Sequence, residues 1–171
     1  MKQASGMTHG HLKRRQIVQS NSSIKTYDIF NMDMSFNIDD IQNKAEWRER
    51  AMNEAEQIHS KPATARGRSL DKIYETRLYG GVAEQYLLET GWEDDTRKFK
   101  DVIDPQGDPV EVKTTSCLEN VWHVLDRCRK AKLETWRNYQ DIVYVFINDT
   151  KSKEFVHEGT YLWNGEKFER N

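Results

Sequence analysis

Asp101, Glu111 and Lys113 are the residues of this chain whose types and spacing are suited to chemistry. They bound the stretch Asp101-Val-Ile-Asp-Pro-Gln-Gly-Asp-Pro-Val-Glu111-Val-Lys113, in which two strand-like segments flank Asp104-Pro105-Gln106-Gly107-Asp108. Proline at the second place and glycine at the fourth suit a type I turn. With those five residues as the loop, Ile103 faces Pro109 and Asp101 faces Glu111, and directly opposed Cβ atoms lie ~5 Å apart. Strand alternation puts Lys113 on the face of Glu111 and turns Val110 and Val112 to the other. Two carboxylates so close repel one another, and a hard divalent cation relieves the repulsion. Mg²⁺ typically takes one or two carboxylates together with waters and phosphate oxygens. A bound ion of this kind activates water and stabilises charge on a phosphodiester. The Lys113 ammonium is placed to position that water or to offset the developing charge.

The elements that must hold these residues follow from periodicity. Asn37 suits the N-cap of a helix over Ile38–His59, with Asp39 and Asp40 in its first turn and a thin apolar stripe of Ile41, Ala45, Met52, Ala55 and Ile58. Ser69 caps a helix expected to run to Thr90, where Gly91 stops it. Gly80-Gly81 in its middle costs ~1 kcal/mol per glycine relative to alanine, which points to the close approach of something bulky. From Thr96 the period changes. Arg97–Ile103 and Pro109–Thr114 read as strands, Leu118–Leu133 as a third helix, and Asp141–Asn148 as a strand buried on both faces. Phe155–Val156 and Tyr161–Trp163 read as edge strands, and Asn164-Gly165 as a hairpin turn. Met1–Gln16 reads as a flexible arm, and Ile17–Val18, Ile24 and Tyr27–Phe30 as short strands or a clasp. The expected fold is α/β: helix, hairpin and sheet, helix, strand, with an N-terminal extension over residues 1–60 and the main domain over 61–171.

Asp101, followed across a hairpin by Glu111-Val112-Lys113, resembles the PD-(D/E)xK nuclease superfamily, whose fold is restriction-endonuclease-like. The resemblance spans about Ser69 to Asn148. It includes a preceding helix that carries Glu84 in Gly80-Gly-Val-Ala-Glu84-Gln-Tyr-Leu, followed by Gly91-Trp92. The resemblance implies metal ligation by Asp101, Glu111 and the Val112 carbonyl, with Lys113 as catalytic lysine. Glu84 would bind a second metal or a metal-bound water. The implied cofactor is Mg²⁺, with Mn²⁺ as a substitute, and the implied partner is DNA, duplex or branched. The Pro-Asp dipeptide that names the superfamily is absent, because Lys100 precedes Asp101 and Val102 follows it. Asp141 with Asp149-Thr150-Lys151 fits the bare spacing too, but those residues lie in a turn rather than alternating with valines.

Composition narrows the class. The 171 residues carry a net charge of −2, and charged residues make up 32%. No apolar run approaches the ~18 residues of a membrane span, and no apolar leader core follows Met1, so an intracellular, cytoplasmic protein is expected. The charge is unevenly placed: residues 78–120 hold ten acidic and four basic side chains, between two net-basic segments. Lys61, Arg66, Arg68 and Lys72 in one segment, and Arg127, Arg129, Lys130 and Lys132 in the other, are the candidate phosphate-gripping residues. Each set reads equally well as a solvated helix face. Cys117 and Cys128, eleven residues apart, are too far apart on one helix for a disulfide and are expected to be core thiols. Trp122, Trp136 and Trp163 are expected to be packing residues. The resulting expectation is a Mg²⁺-dependent endonuclease acting as a homodimer on DNA. The alternatives are a junction resolvase of the same fold, a catalytically silent nucleic-acid-binding module, and an interaction protein with an acidic surface hairpin.

Overall fold

The computed structural model describes residues 15–20, 23–28, 34–97, 101–149 and 151–171. The chain divides into two compact units, with the boundary between Asp33 and Met34. In the first, β1 (Arg15–Ser20) and β2 (Ser23–Asp28) form an antiparallel hairpin in which Ser20 faces Ser23. The expected strands at Ile17–Val18 and Ile24 fall in this hairpin. Residues 1–14, most of the expected arm, and residues 29–33 lie outside the described residues.

The second unit is mixed α/β. Its sheet holds β3 (Ser35–Asn37), β4 (Glu93–Asp94), β5 (Val102–Ile103), β6 (Pro109–Thr115), β7 (Ile142–Asp149), β8 (Glu154–Trp163) and β9 (Phe168–Arg170). The order across it is β3-β8-β7-β6-β5-β4, and β9 also pairs with β8. β6 and β7 run parallel, joined by a crossover through α5 (Val121–Leu133), while the other pairings in this sheet are antiparallel. Because Glu111 registers with Val143 and Lys113 with Val145, these four side chains share one face. On that face Val121, Val124 and Cys128 of α5 pack with Val143, Val145, Tyr161 and Phe168. On the opposite face Phe36 stacks on Tyr86 and meets Phe146 edge-on, and Trp92 meets Tyr144 edge-on. Fully burying side chains such as Phe146 and Val143 stabilises the sheet by roughly 1.5–3 kcal/mol each.

Two expected helices are interrupted, each for a local reason. The Ile38–His59 helix is a 3₁₀ turn at Ile38–Asp40, capped by Asn37, and a separate α1 (Lys44–His59) capped by Asn43. The break is held by Glu89, whose carboxylate accepts from the Gln42 N–H at 2.8 Å and the Asn43 N–H at 2.9 Å. After the short α2 (Pro62–Ala65) comes α3 (Leu70–Gly80), capped by the Ser69 hydroxyl. The expected run to Thr90 instead divides at Gly81, and α4 (Val82–Glu89) follows. Trp47 of α1 is the bulky neighbour: its indole N–H donates to the Leu78 carbonyl at 2.8 Å. A Cβ at Gly81 would meet the Arg77 carbonyl at 3.2 Å and the Trp47 indole nitrogen at 4.0 Å, whereas at Gly80 it would meet open space.

The expected edge strands are corrected as well. Phe155–Val156 and Tyr161–Trp163 belong to one ten-residue strand, β8, which lies inside the sheet because β7 pairs on one side of it and β3 and β9 pair on the other. The 61–171 boundary also differs from the structural one. α1 packs on α3 and contributes Trp47, Ala51 and Ala55 to the buried interior, so it belongs to the unit that begins at Met34. Trp163 packs beside Phe168 as expected, but Trp122 is 62% exposed and Trp136 67% exposed. Both lie on the solvent side of α5 or just past its end. Cys128 is buried and Cys117 partly so, and both are free thiols.

Candidate active site

The site is built on the β5–β6 hairpin. Val102 pairs with Val110 and Ile103 with Pro109, the register that the five-residue loop requires. Asp104 makes the turn: its Oδ1 accepts from the Gln106 N–H at 3.0 Å and the Asp108 N–H at 2.8 Å, and its N–H donates to the Asp108 carbonyl at 2.9 Å. Gly107 adopts φ +86°, a conformation that glycine takes without steric cost. Val102 and Val110 are fully buried and anchor the hairpin in the core.

One rung beyond Val102, the ladder continues through a side chain. Asp101 Oδ2 accepts the Val112 N–H at 2.8 Å, which holds this carboxylate against β6 between Val110 and Lys113. Glu111 is 6% exposed, and its Oε1 is paired with the Lys113 ammonium. Its second oxygen, Oε2, is buried without a hydrogen-bond partner. An unpaired buried carboxylate oxygen is costly, so it marks a place where a cation or a donor would be stabilising. Tyr139, on the segment between α5 and β7, brings its hydroxyl, a donor, towards Glu111 and Cys128, short of a well-formed hydrogen bond to Oε2, and burial beside these groups raises its pKa.

The electrostatics follow from this crowding. Burial, with the Glu111 carboxylate next to it, pushes Asp101 up to about 6, against the opposing pull of Lys113. Burial disfavours the Lys113 ammonium, yet Glu111 and Asp101 outweigh it and hold its pKa above the ordinary lysine value. Glu84, on the first turn of α4, lies within electrostatic reach of Asp101 and Lys113. Burial first and Asp101 second raise it well above the usual carboxylate range, although Arg50 favours its ionised form. Arg50 of α1 reaches Glu84 at 3.7 Å and Asp94 of β4 at 3.5 Å. Glu54, one turn along α1, pairs with Arg77 of α3 at 3.6 Å.

Asp101, Glu111, Lys113 and Glu84 are therefore brought into one electrostatic cluster. Among the described residues, however, no group of three or more His, Cys, Asp and Glu side chains is gathered closely enough to hold a metal ion. Of the two carboxylates on the hairpin, Asp101 is bonded to the Val112 N–H, and Glu111 keeps one buried oxygen without a hydrogen bond. Arg50 and Tyr139 were not legible in sequence. Neither belongs to a spaced motif, and each reaches the site from a separate segment.

The basic candidates divide. Arg68 is bonded to the Ala65 and Thr64 carbonyls, both at 3.1 Å, and closes its own loop. Lys72 pairs with Glu75, while Lys61 and Arg66 are exposed at the two ends of α2. No hydrogen bond or ion pair among the described residues joins these four to Asp101, Glu111 or Lys113. Lys132 is half-buried, pairing with Asp141 at 2.6 Å and donating to the Tyr139 carbonyl at 2.7 Å, so it fastens α5 to the start of β7. Arg129 and Lys130 both pair with Asp126. Arg127 is exposed. No helix among the described residues is long and apolar enough to cross a membrane. No protein family, curated protein or solved structure compared with this chain matches it.

Proposed function

We propose that this chain is a metal-dependent endonuclease that hydrolyses DNA phosphodiester bonds on a restriction-endonuclease-like core. The observation that carries the reading is the Asp101–Glu111 pair: one carboxylate fixed by the Val112 N–H, the other with a buried oxygen left unpartnered. The order α4, the β4–β5–β6 meander, α5 and parallel β7 supports the same reading. Asp101, Glu111 and the Val112 carbonyl are the groups that would hold Mg²⁺ or Mn²⁺, and Glu84 the group for a second ion or its water. When bound, the ion supplies an activated water and offsets charge on the phosphate.

The chain's own residues do the remaining work. Lys113 stays protonated, because its carboxylate neighbours hold its pKa high. It therefore acts as a hydrogen-bond donor and positive charge rather than as a general base. With a cation held by Glu111, the Lys113 ammonium would be free to donate to a water and to a non-bridging phosphate oxygen. The Val112 N–H keeps Asp101 in place throughout, and Arg50 fixes Glu84 from α1. Cutting both strands of a duplex with one such site per chain calls for two copies, so a homodimer belongs to this proposal.

The test is nicking of supercoiled plasmid, and cleavage of four-way junctions, with Mg²⁺ or Mn²⁺ at ~millimolar concentration. Asp101→Ala and Lys113→Ala are compared with wild type. Cation-dependent cleavage lost in both variants supports the reading, and preference for junctions over duplex would make it a resolvase. Cleavage surviving both substitutions overturns it. The lack of a gathered three-donor set favours one second reading, a binding module without catalysis. That reading expects DNA binding and no cleavage with either cation.

A further inference from the structure

Where β6 ends and α5 begins, an open pocket of about 460 Å³ is lined by Thr114, Thr115, Asn120, His123, Val124, Asp126, Arg127 and Lys130. Seven of these eight are polar or charged, so the pocket does not suit an apolar ligand. It offers an amide, an imidazole and the Arg127 guanidinium, donors suited to a phosphate, while Lys130 is held by Asp126. The acid in the lining does not oppose an anion strongly, because Asp126 is already paired with Arg129 at 3.2 Å and Lys130 at 2.8 Å. Arg127, by contrast, makes no hydrogen bond or ion pair among the described residues and keeps its five donors available. The volume exceeds that of a bare phosphate and falls in the range of pockets that hold a small organic unit.

Position adds a second, independent argument. Thr115 lies two residues beyond Lys113 on the same strand, and side chains two apart on a strand share a face. The step is roughly 7 Å, comparable to the separation of neighbouring phosphates along a nucleic-acid strand. At the lip of the pocket, exposed Trp122 stacks on His123 with ring centroids 3.4 Å apart, a flat aromatic surface beside the cationic one. Aromatic faces next to cationic grooves are the usual means of holding a nucleic-acid strand without reading its sequence.

We propose that this pocket binds the phosphate–sugar unit of the substrate strand adjacent to the scissile phosphate, with Arg127 on the phosphate, Thr115 lining the wall beside it, and Trp122 under the neighbouring base. The assignment to the scissile neighbour rests on the nuclease reading; the assignment to a nucleic-acid strand does not. The site is reached from α5 and is separate from the Asp101–Glu111 pair.

Binding measured in EDTA, where cation-dependent cleavage is prevented, separates the two. The probes are a short labelled DNA strand, the dinucleotide pTpT and inorganic phosphate, titrated into the full chain at several salt concentrations. Arg127→Ala is expected to weaken strand binding about tenfold and to lower the salt slope by about 1. Thr115→Val should weaken it less than Arg127→Ala does, and Trp122→Phe should reduce the quenching of tryptophan fluorescence by the strand. Unchanged melting temperatures would confirm that the variants fold. Strand binding that depends on Arg127, found together with no cleavage under either cation, would leave this site standing and remove the nuclease reading. Wild-type affinity and salt slope in Arg127→Ala would overturn the inference. So would phosphate or pTpT binding as tightly as the strand, which would make the pocket a free-anion or nucleotide site.

Discussion

Asp101 is the residue on which pH dependence turns. Its folded pKa of about 6 lies above the ~3.9 of an unfolded aspartate, so the native state binds the extra proton between those values. Stability associated with the protonated group is present below about pH 4 and is lost as pH rises through 6. Asp101→Asn keeps an acceptor for the Val112 N–H and removes the charge. It should therefore gain stability over wild type as pH rises from 4 to 7, by on the order of 2–3 kcal/mol, measured as the difference between the two urea midpoints at each pH. On the proposed nuclease function, the same proton would compete with the cation. At limiting Mg²⁺, nicking is expected to fall as pH drops below 6, and added Mg²⁺ should move that limb to lower pH. A limb that stays put when Mg²⁺ is raised would show that Asp101 is not a ligand. Lys113→Ala should lower the cleavage rate by roughly 10²–10³-fold with little change in strand affinity, read by comparing turnover with binding in EDTA.

At the scale of elements, two contacts fix the helix that carries Glu84. The carboxylate of Glu89, at the end of α4, holds the start of α1 through two main-chain N–H groups. Those hydrogen bonds outweigh the cost of its burial and lower its pKa. Their stabilisation is present above the unfolded pKa and disappears as pH falls through the lowered folded value. Glu89→Ala should cost about 1–3 kcal/mol at pH 7, with a smaller deficit in acid, checked by denaturant unfolding at both pH values. Trp47 fixes the other end of the arrangement, where α3 gives way to α4. Trp47→Phe leaves the Leu78 carbonyl without its donor and should cost about 1–3 kcal/mol, seen as a lower melting temperature. How far the sequence led differs between these elements. The Ser69 cap, Asn37 cap and Gly91 stop were local signals and appear as expected. The divisions at Gln42–Asn43 and at Gly81 depend on Glu89 and Trp47, which are tens of residues away, and no periodicity records them.

The whole molecule divides at Asp33–Met34, not at residue 60. Phe36 stacks on Tyr86 and Phe155, and Trp47 lies under α3, so removing residues 1–60 would strip the core of the second unit. A chain of residues 34–171 should keep a cooperative melt and the same circular dichroism shape, whereas one of residues 61–171 should not. A cooperative melt from the shorter piece would contradict this account of the core. In the sheet, β8 read as two edge strands because Gly159, His157 and Glu158 interrupt its apolar pattern. Its central place comes from pairing with β7 on one side and with β3 and β9 on the other.

By itself the sequence determined the α/β class, the β5–β6 hairpin and the convergence of Asp101, Glu111 and Lys113. Turn chemistry and the two-residue strand period act over a few residues and can be read without knowing what lies above them. The tertiary structure alone decided which carboxylate oxygen is left unpartnered, that Arg50 and Tyr139 join the site, that Lys132 fastens α5 to β7 while Arg127 lines a pocket, and that Trp122 faces solvent. Those outcomes depend on burial and on contacts between distant segments, and the free energy of a charge or an indole is set by what surrounds it in space rather than by its neighbours in the chain.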